Sequence, residues 1–389
     1  MILTNKQEEG LKLAVARYRN KEPYTCIAGY AGTGKSTLVQ FIISALNLEP
    51  ERDVAYVAYT GKAAQVLRTK GCPNAQTAHR LLYKSFPRKD GTFAHIPLYP
   101  IYPYKLIIVD EVSMLPKPMW ELLLSHKIHV IALGDPGQLP PVAAEKHEVL
   151  LFPHIFLDEI MRQAEESEII RLTMDIREHK PLQPMRGNEV RIVDRDEMLN
   201  TGFLAWADQI IVGKNETRVQ INNFMREVLM DTTDPRPIVG DRIICLKNNW
   251  EQFNDSGDAL VNGLSGTLEN IYYTSDNPFM ERTPIIDFKP DYDDATNFCS
   301  LEVDYKIFME HEPTVNKDTF RKIPKYYQPN QFDYAYAITC HKSQGSEYDK
   351  VIVLEEFLKG ENKEDHARWL YTAATRAAKK LIIVRNYHK

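Results

Sequence analysis

Gly29-Tyr30-Ala31-Gly32-Thr33-Gly34-Lys35-Ser36 follows the apolar run Tyr24-Thr25-Cys26-Ile27-Ala28 and precedes an amphipathic helical pattern that begins near Leu38. A strand, a glycine-rich loop of this spacing and a helix together form the context of a phosphate-binding P-loop. The glycines let backbone N–H groups approach phosphates, and the N-terminus of the helix favours an anion. The stretch therefore predicts a nucleotide site on an α/β domain.

The residues of this loop have separate expected tasks. Lys35 is expected to reach the β- and γ-phosphates of ATP, and the Ser36 hydroxyl to coordinate Mg²⁺, while Thr37 supports the loop or the helix. A chance match in a glycine-containing turn is the alternative, which the flanking strand and helix disfavour. The residues predicted to contact the nucleotide here are Gly29, Gly32, Thr33, Gly34, Lys35, Ser36 and Thr37.

Two adjacent carboxylates, Asp110 and Glu111, follow a second apolar run at residues 106–109. This position lies at the carboxyl edge of the predicted sheet, where α/β proteins build their sites. Asp110 suits a role beside Mg²⁺, and Glu111 suits polarisation of the attacking water. Alone, such a pair is usually a solvated strand end, but together with the P-loop it predicts a hydrolysis centre.

Strand-length apolar runs alternate with helical patterns in two blocks of the 389-residue chain. The predicted strands are residues 24–28, 54–58, 106–109 and 130–133 in the first block and 209–212, 351–354 and 381–384 in the second, with helices near 217–229 and 366–378. This alternation predicts an α/β fold with two parallel-sheet domains. The first comprises residues 1–83 and 105–150, and the second 151–240 and 331–389.

Two segments interrupt these domains. Residues 84–104 contain four prolines and the turn Lys89-Asp90-Gly91-Thr92, which predicts a β-hairpin. In residues 241–330, strand-like pieces such as 243–246 are broken by Asn-Gly, Ser-Gly and proline turns. That pattern predicts a small inserted β-barrel.

The composition is neutral about a nucleic-acid partner. The formal net charge of −5 disfavours binding through the average charge, but a local basic track is sufficient. The apolar runs are too short to cross a bilayer, and residues 1–9 lack the layout of a signal peptide. The five cysteines include no CxxC pair, so no structural zinc is expected. We expect a cytoplasmic protein without a membrane partner.

Further motifs follow one another in a fixed order along the chain. They are Leu3-Thr4-x-x-Gln7, Thr60-Gly61-Lys62-Ala63-Ala64, Thr77-Ala78-His79-Arg80-Leu81-Leu82, the run from Asp110 to Met114, Gly134-Asp135-Pro136-Gly137-Gln138-Leu139-Pro140-Pro141-Val142, Arg162-Gln163, the run from Ala337 to Glu347, and Tyr371-Thr372-Ala373-Ala374-Thr375-Arg376-Ala377. With these motifs the chain resembles the superfamily 1B DNA helicases, specifically the RecD-like and phage Dda-like group. The ordered set spans nearly the whole chain and is therefore specific.

The resemblance implies two RecA-like motor domains, with the hairpin as a strand-separating pin and the second insertion as an SH3-like barrel. It implies an ATP-dependent DNA helicase, a monomeric motor that moves from 5′ to 3′ on single-stranded DNA and opens duplex forks. Replication or recombination proteins are its expected partners. RNA stays open as a track, because phosphates are gripped in a similar way on both nucleic acids.

The resemblance also implies roles at the nucleotide. Gln7 is expected to read the edge of adenine, and Gln138 to sense the γ-phosphate. Arg162 and Arg376 match arginines that stabilise transition-state charge, with a surface ion pair as the alternative for each. Glu347 is expected at the ribose, with an exposed charge as the alternative.

A nucleic-acid track is implied by six positions that match family strand contacts: Thr60, Lys62, His79, Thr339, His341 and Lys342. Tyr59 stands where relatives often carry proline, and it either alters the loop, offers a ring to a base or packs in the core. In the hairpin, Phe93 is the first choice for capping a terminal base pair, ahead of Phe86 and His95. The other reading is that these rings hold the hairpin against its domain.

Two other functions use only part of this set. A DNA-stimulated ATPase switch would need the nucleotide site, and a passive nucleic-acid-binding protein would need only the track. A loose pattern, Pro290-Asp291 followed by Asp304-Tyr305-Lys306, formally fits a metal nuclease, but the inserted segment leaves little room for a nuclease core.

Overall fold

The computed structural model describes residues 3–87, 93–101, 103–140, 148–198, 201–272, 284–291, 296–315, 317–323, 327–358 and 360–385. These residues form two six-stranded α/β units and two smaller β insertions. Within these ranges, no helix combines the length and the apolar character that crossing a membrane requires.

The strands, in chain order, are β1 (Tyr24–Gly29), β2 (Val54–Ala58), β3 (Gln76–Thr77), β4 (Tyr83–Pro87), β5 (Phe93–Pro97), β6 (Leu106–Val109), β7 (His129–Gly134), β8 (Ile155–Leu157), β9 (Met185–Arg186), β10 (Val190–Asp194), β11 (Gln209–Val212), β12 (Arg242–Cys245), β13 (Asn249–Phe253), β14 (Ala259–Leu260), β15 (Ser265–Tyr272), β16 (Ile285–Pro290), β17 (Phe298–Glu302), β18 (Phe332–Tyr334), β19 (Ala337–Thr339), β20 (Tyr348–Leu354) and β21 (Ala377–Arg385). The α-helices are α1 (Asn5–Arg19), α2 (Lys35–Ala45), α3 (Gly61–Thr69), α4 (Ala78–Leu82), α5 (Lys117–Ser125), α6 (Arg162–Glu165), α7 (Glu168–Arg177), α8 (Thr201–Ala205), α9 (Asn215–Met230), α10 (Tyr305–Glu310), α11 (Lys317–Lys322) and α12 (Lys363–Ala374).

The first sheet is parallel, with strand order β3-β2-β6-β7-β1-β8. Helices α1, α2 and α3 pack on one face, and α4 and α5 on the other. Because both faces are covered, β2, β6 and β7 are buried along their whole length, which explains why they read as continuous apolar runs. The P-loop follows β1, the paired carboxylates follow β6, and the segment after β7 lies between them.

The second sheet has the order β19-β11-β20-β21-β10-β9 and is parallel except for the edge strand β9. Helices α7 and α12 cover one face, and α8 and α9 the other. The two parallel-sheet units confirm the predicted α/β fold with a RecA-like core.

The insertions are antiparallel. Strands β4 and β5 pair in register from Tyr83 with Pro97 to Pro87 with Phe93. The second insertion forms a five-stranded sheet of order β17-β16-β15-β12-β18, with β13 and β14 paired beside it. Its apolar side chains join the same core as α8 and α9, so the insertion packs continuously with the second unit. Its identity as an SH3-like barrel stays a prediction.

Three predicted boundaries were wrong. Strand β8, which the sequence assigned to the second unit, pairs with β1, so the first sheet extends to Leu157 rather than ending at residue 150. Strand β18 pairs with β12, so the second insertion includes residues 332–334. The helix predicted to end at Ala378 ends at Ala374, because β21 begins at Ala377. The first two errors have one cause: a three-residue strand carries too little periodicity to reveal which sheet it joins.

Candidate functional site

The P-loop encloses its own lysine. Gly32 and Gly34 both have φ of 77°, a left-handed conformation that glycine adopts without strain. The Lys35 ammonium donates to the carbonyl oxygens of Gly29 at 2.6 Å and Tyr30 at 2.9 Å. Thr33 is buried, and its hydroxyl also donates to Tyr30, at 2.8 Å. The loop is thus a compact cradle with a cation at its centre, which fits a phosphate chain.

Gln7 is bound to this loop. Its Nε2 donates to the carbonyl oxygen of Thr33 at 3.1 Å, and its Oε1 accepts from the backbone N–H of Thr4 at 3.0 Å. The second bond belongs to a capping box that starts α1 at Asn5. Gln7 is buried, so the start of α1 and the P-loop form one unit at the predicted adenine position.

The paired carboxylates sit on a strained turn after β6. Glu111 has φ 46° and ψ 54°, a left-handed conformation that is costly for a residue with a Cβ atom. Its backbone N–H donates to Oδ1 of Asp110 at 3.0 Å. Burial raises the pKa of the Glu111 carboxyl, and the nearby Arg376 guanidinium opposes that shift. Such strain and such a raised pKa are typical of a functional site.

Arg376 reaches this turn from the second unit. Its Nη1 lies 3.4 Å from Oε1 of Glu111 and donates to the carbonyl oxygen of Ser346 at 3.2 Å. Its Nε donates to the carbonyl oxygen of Thr372 at 3.1 Å. Arg376 is buried, so backbone carbonyls hold its guanidinium at the boundary between the units.

Helix α12 makes further contacts across the cleft. The Tyr371 hydroxyl accepts from the P-loop N–H of Ala31 at 2.8 Å and donates to Oδ2 of Asp135 at 2.7 Å. The backbone N–H of Leu139 donates to the Thr372 hydroxyl at 2.8 Å. Gln138, the predicted γ-phosphate sensor, thus lies in a segment that the second unit grips directly.

Gln344, a residue of the motif run 337–347 to which sequence reasoning assigned no role, is also part of this boundary. Its Nε2 donates to the carbonyl oxygen of Leu139 at 2.6 Å. Gln344 is buried and lines the cleft. The segment that follows β7 is therefore contacted both by α12 and by the segment that follows β19.

Sequence reasoning missed Arg177, the last residue of α7. Its guanidinium carbon lies 3.4 Å from the ring centroid of the P-loop residue Tyr30. Tyr30 also packs edge to face on Phe156 of β8, with ring centroids 5.5 Å apart. No sequence motif contains Arg177, and a contact between residues so far apart in the chain has no local signal.

For two residues that were predicted at the nucleotide, Arg162 and Glu347, the structure describes no side-chain contact with the P-loop. The side chain of Arg162 lies outside the described part of the structure, although its helix starts at the P-loop, where Met161 N donates to Gly32 O at 3.0 Å. Glu347 forms an ion pair with Lys70 at 2.5 Å, so its described partner is the end of α3 rather than the P-loop.

The residues present suit Mg²⁺. This ion takes hard oxygen ligands and is usually held by one or two carboxylates or hydroxyls together with substrate phosphates. Ser36 is exposed in the first turn of α2, and Asp110 stands at the end of β6. Among the described residues, none donates to Oδ2 of Asp110, and no cluster of three metal-binding side chains competes for the ion.

A cavity of about 570 Å³ opens between the units and the second insertion. Four of the six predicted strand contacts line it: Thr60, Thr339, His341 and Lys342. Burial lowers the pKa of Lys342 and of His341. Tyr59 lines it too, together with Asn248 and Asn262 of the insertion, which sequence reasoning did not single out.

The structure places the other predicted strand contacts elsewhere. Lys62 is buried, with its ammonium 3.7 Å from the ring centroid of Tyr348 in the second unit. His79 is buried and stacks on Tyr83 at 4.9 Å, and burial lowers its pKa to about 4. Both side chains thus make packing contacts and do not line the cavity. The side chain of Phe93 lies outside the described residues.

The nuclease pattern does not assemble. Asp291 pairs with Arg242 at 2.7 Å and accepts from the Ser265 hydroxyl at 2.9 Å. Asp304 accepts from the backbone and hydroxyl of Thr314, at 2.9 and 2.5 Å. Both carboxylates thus have structural partners in the insertion.

The fold and the site together define a P-loop protein with two RecA-like domains that meet at the nucleotide site. The family profile described as "AAA domain" matches residues 3–201, just over half of the 389-residue chain, and the profile described as "UvrD-like helicase C-terminal domain" matches residues 334–384. The chain belongs to the superfamily 1B helicases, in their RecD-like and Pif1-like group. That group is a family of ATP-dependent enzymes.

Relatives match over different lengths. The ATP-dependent DNA helicase dda of Enterobacteria phage T4 is 26% identical over 66% of this chain and 63% of its own length. The ATP-dependent RecD2 DNA helicase of Deinococcus radiodurans is 38% identical over 37% of this chain and 20% of its own. An uncharacterised protein of Methanocaldococcus jannaschii matches 92% of this chain but only 36% of its own length. The chain thus spans less than two thirds of these relatives.

The fold matches a solved structure over nearly its whole length. The Pif1 helicase from Bacteroides, in complex with ADP-AlF3 and single-stranded DNA, aligns with a TM-score of 0.51 and 19% identity, covering 98% of this chain and 92% of that one. At that identity the match establishes the shared fold.

Proposed function

We propose that this chain is an ATP-dependent DNA helicase that translocates from 5′ to 3′ on single-stranded DNA and separates duplex strands. One observation carries the proposal: Arg376 of the second domain meets Glu111 of the first at the same cleft whose neighbouring cavity is lined by strand-contact residues of both domains. Hydrolysis and strand binding would therefore share one boundary between the domains. The Dda, RecD2 and Pif1 relatives, named as ATP-dependent DNA helicases, support the same function.

The proposed chemistry follows from side chains on both sides of the cleft. The P-loop N–H groups and Lys35 bind the phosphate chain, and Gln7 orients the adenine. Mg²⁺, held by Ser36 and Asp110, would neutralise phosphate charge. Glu111 accepts the proton of the attacking water, and Arg376 stabilises the charge that develops on the transferred phosphoryl group. Gln138 senses that group.

Arg162 takes the same charge-stabilising role in the proposal. Its backbone begins the helix that is hydrogen-bonded to the P-loop through Met161, and this proximity supports the role. Hydrolysis changes the charge between the domains, and the contacts of Tyr371 and Gln344 transmit this change to α12 and to the segment after β19. The segment after β19 also lines the strand cavity, through His341, Lys342 and Gln344.

In this proposal the β4–β5 hairpin acts as the pin that separates strands at a fork. Its Phe86 and Ile96 are exposed, at 39% and 54%, so part of the hairpin presents apolar surface to solvent. The chain would act as a monomer on single strands and forks, alongside replication or recombination proteins.

The proposal is tested by measuring ATP turnover with and without single-stranded DNA, and displacement of strands from duplexes with 5′ or 3′ overhangs of DNA or RNA. We expect DNA-stimulated turnover and displacement from 5′ DNA overhangs, with Lys35→Ala inactive in both assays because the charge at the phosphates is lost. Stimulated turnover without displacement would instead support an ATPase switch, and binding without turnover a passive binding protein.

A further inference from the structure

A chain of hydrogen bonds runs along one wall of the strand cavity and joins three parts of the molecule. Nδ2 of Asn248 donates to the Tyr59 hydroxyl oxygen at 3.1 Å, and the backbone N–H of Asn262 donates to Oδ1 of Asn248 at 2.7 Å. The ammonium of Lys342 donates to Oδ1 of Asn262. Tyr59 belongs to the first domain, the two asparagines to the second insertion and Lys342 to the second domain, and all four line the cavity.

The direction of each bond follows from the groups that can only donate. The backbone N–H of Asn262 has no acceptor capacity, so the Asn248 amide must turn its oxygen to it and its nitrogen to Tyr59. The Tyr59 oxygen then accepts, which leaves its proton available. In the same way, the Lys342 ammonium forces the Asn262 oxygen toward itself and turns the Asn262 NH₂ group away.

Among the described residues, these groups have no acceptor for the hydrogens that they can donate. Within the described ranges, no residue accepts from the Tyr59 hydroxyl or from the NH₂ group of Asn262. Lys342 is held by a neutral amide and forms no ion pair with a described residue, in contrast to Lys70, which Glu347 neutralises at 2.5 Å. A half-buried cation beside two unused donors favours an anion at this wall.

We propose that Tyr59, Asn262 and Lys342 form one phosphate-binding row for single-stranded DNA, and that Asn248 is the residue that positions it. The proposal rests on the proposed function, and it adds the second insertion as a third wall of the track. It also gives Tyr59 a role that the sequence left open: its ring packs on the core of the first domain, and its hydroxyl serves the cavity. Such donors grip phosphates without reading bases.

The test measures affinity for a fluorescein-labelled oligo-deoxythymidylate by anisotropy at several salt concentrations. Tyr59→Phe removes only the hydroxyl, and Asn248→Ala removes the group that orients it. Each is expected to weaken binding about three- to tenfold, the effect of one hydrogen bond. Because both substitutions act on the same contact, the double variant should bind the strand about as tightly as the single variant with the lower affinity.

Salt separates the neutral members of the row from the charged one. Tyr59→Phe should leave the salt dependence unchanged, whereas Lys342→Gln should reduce its slope by about one, as for one lost phosphate contact. Asn270→Ala is the matched control: it removes an exposed asparagine of the same insertion, bonded to Asp287 at 2.9 Å, and should leave affinity unchanged.

Three results would overturn the row. The row is wrong if Asn248→Ala and Tyr59→Phe both bind with wild-type affinity, or if their losses add in the double variant. Either result leaves the proposed function standing, because the wild-type chain would still bind the strand. A wild-type chain without affinity for the strand would overturn both. Thermal unfolding of each variant checks the fold, and Tyr59→Phe retains the packed ring.

Discussion

Nη1 of Arg376 lies 3.4 Å from Oε1 of Glu111, so the expected transition-state cation of one domain contacts the expected base of the other. The contact joins two half-sites that are each held in place separately. Backbone carbonyls fix Arg376, and a left-handed backbone fixes Glu111. A phosphoryl group between the domains would compete with Glu111 for the guanidinium, which links the reactivity of the base to closure of the cleft.

Replacing Arg376 with alanine should lower the turnover number far more than nucleotide affinity, because the arginine acts on charge that develops during the reaction. A loss of roughly 10³-fold in kcat is expected for such a residue. Steady-state ATPase rates and binding of a fluorescent ATP analogue measure the two quantities.

Arg368→Ala is the control for that experiment. Arg368 lies on α12, the helix that ends just before Arg376, and pairs with Glu364 at the surface, at 3.1 Å. Its removal should leave turnover near the wild-type value. A change in Arg376→Ala confined to nucleotide affinity would contradict the charge-stabilising role.

The acid limb of the pH–rate profile for hydrolysis should report the ionisation of Glu111. A base must be ionised, and burial raises the pKa of this carboxyl, so activity should be present above the raised pKa and lost as the pH falls through it. The limb should therefore lie at higher pH than an ordinary glutamate would give. The measurement is kcat/KM for ATP against pH, which reports groups of the free enzyme.

Glu111→Gln supplies the second arm of the pH experiment. The amide keeps the shape of the carboxyl but cannot take a proton, so turnover should fall by roughly 10²- to 10⁴-fold while nucleotide binding persists. Undiminished hydrolysis in this variant would assign the base to another residue.

Arg177→Ala should weaken nucleotide binding by about two- to fivefold, the effect of an exposed cation–π contact. The guanidinium stacks on Tyr30 and holds the P-loop from the second domain, so its removal frees the loop that must be ordered on binding. Isothermal titration with ADP measures the change.

Arg171→Ala, an exposed arginine of the same helix, is the control for Arg177. Tyr30→Leu should reproduce the loss, and combining it with Arg177→Ala should add little. Equal ADP affinities in all variants would show that the contact between Arg177 and Tyr30 does not contribute to nucleotide binding.

The fold could be predicted from sequence where burial is two-sided. Strands such as β2 and β6 are apolar throughout because helices cover both faces, and their bounds were predicted to the residue. Strand β8 was assigned to the wrong sheet because three residues define no period, and only its pairing with β1 shows where it belongs.

The site was predictable where chemistry depends on backbone spacing. The P-loop and the Asp110-Glu111 turn need particular residue types at fixed positions, so they are visible in one sequence. The direction in which a side chain points cannot be predicted in this way. Lys62 matched a strand-binding motif, yet its ammonium lies on Tyr348, and the Arg177–Tyr30 stack depends on how two domains meet.

The β4–β5 hairpin is expected to act on the duplex through its aromatic rings rather than through the nucleotide site. Strand β5 starts at Phe93. Phe93→Ala should reduce unwinding while leaving hydrolysis on single strands intact, because none of the proposed hydrolysis residues belongs to the hairpin. A ring that caps the terminal base pair competes with base stacking, a contact worth about 1–3 kcal/mol per base. Single-strand-stimulated ATPase and duplex unwinding are measured on one preparation, with circular dichroism to check the fold.

Among the alternatives to Phe93, the structure favours Phe86. Its side chain is exposed, with the Lys84 ammonium 4.9 Å from its ring centroid, whereas His95 packs beside His79 with ring centroids 5.1 Å apart. Phe86→Ala therefore accompanies Phe93→Ala, and Tyr272→Ala removes an exposed ring of the other insertion as the control. Selective loss of unwinding in Phe86→Ala alone would show that the ring capping the base pair is Phe86 on β4. Equal loss of hydrolysis and unwinding in both hairpin variants would show that the rings only hold the hairpin in place.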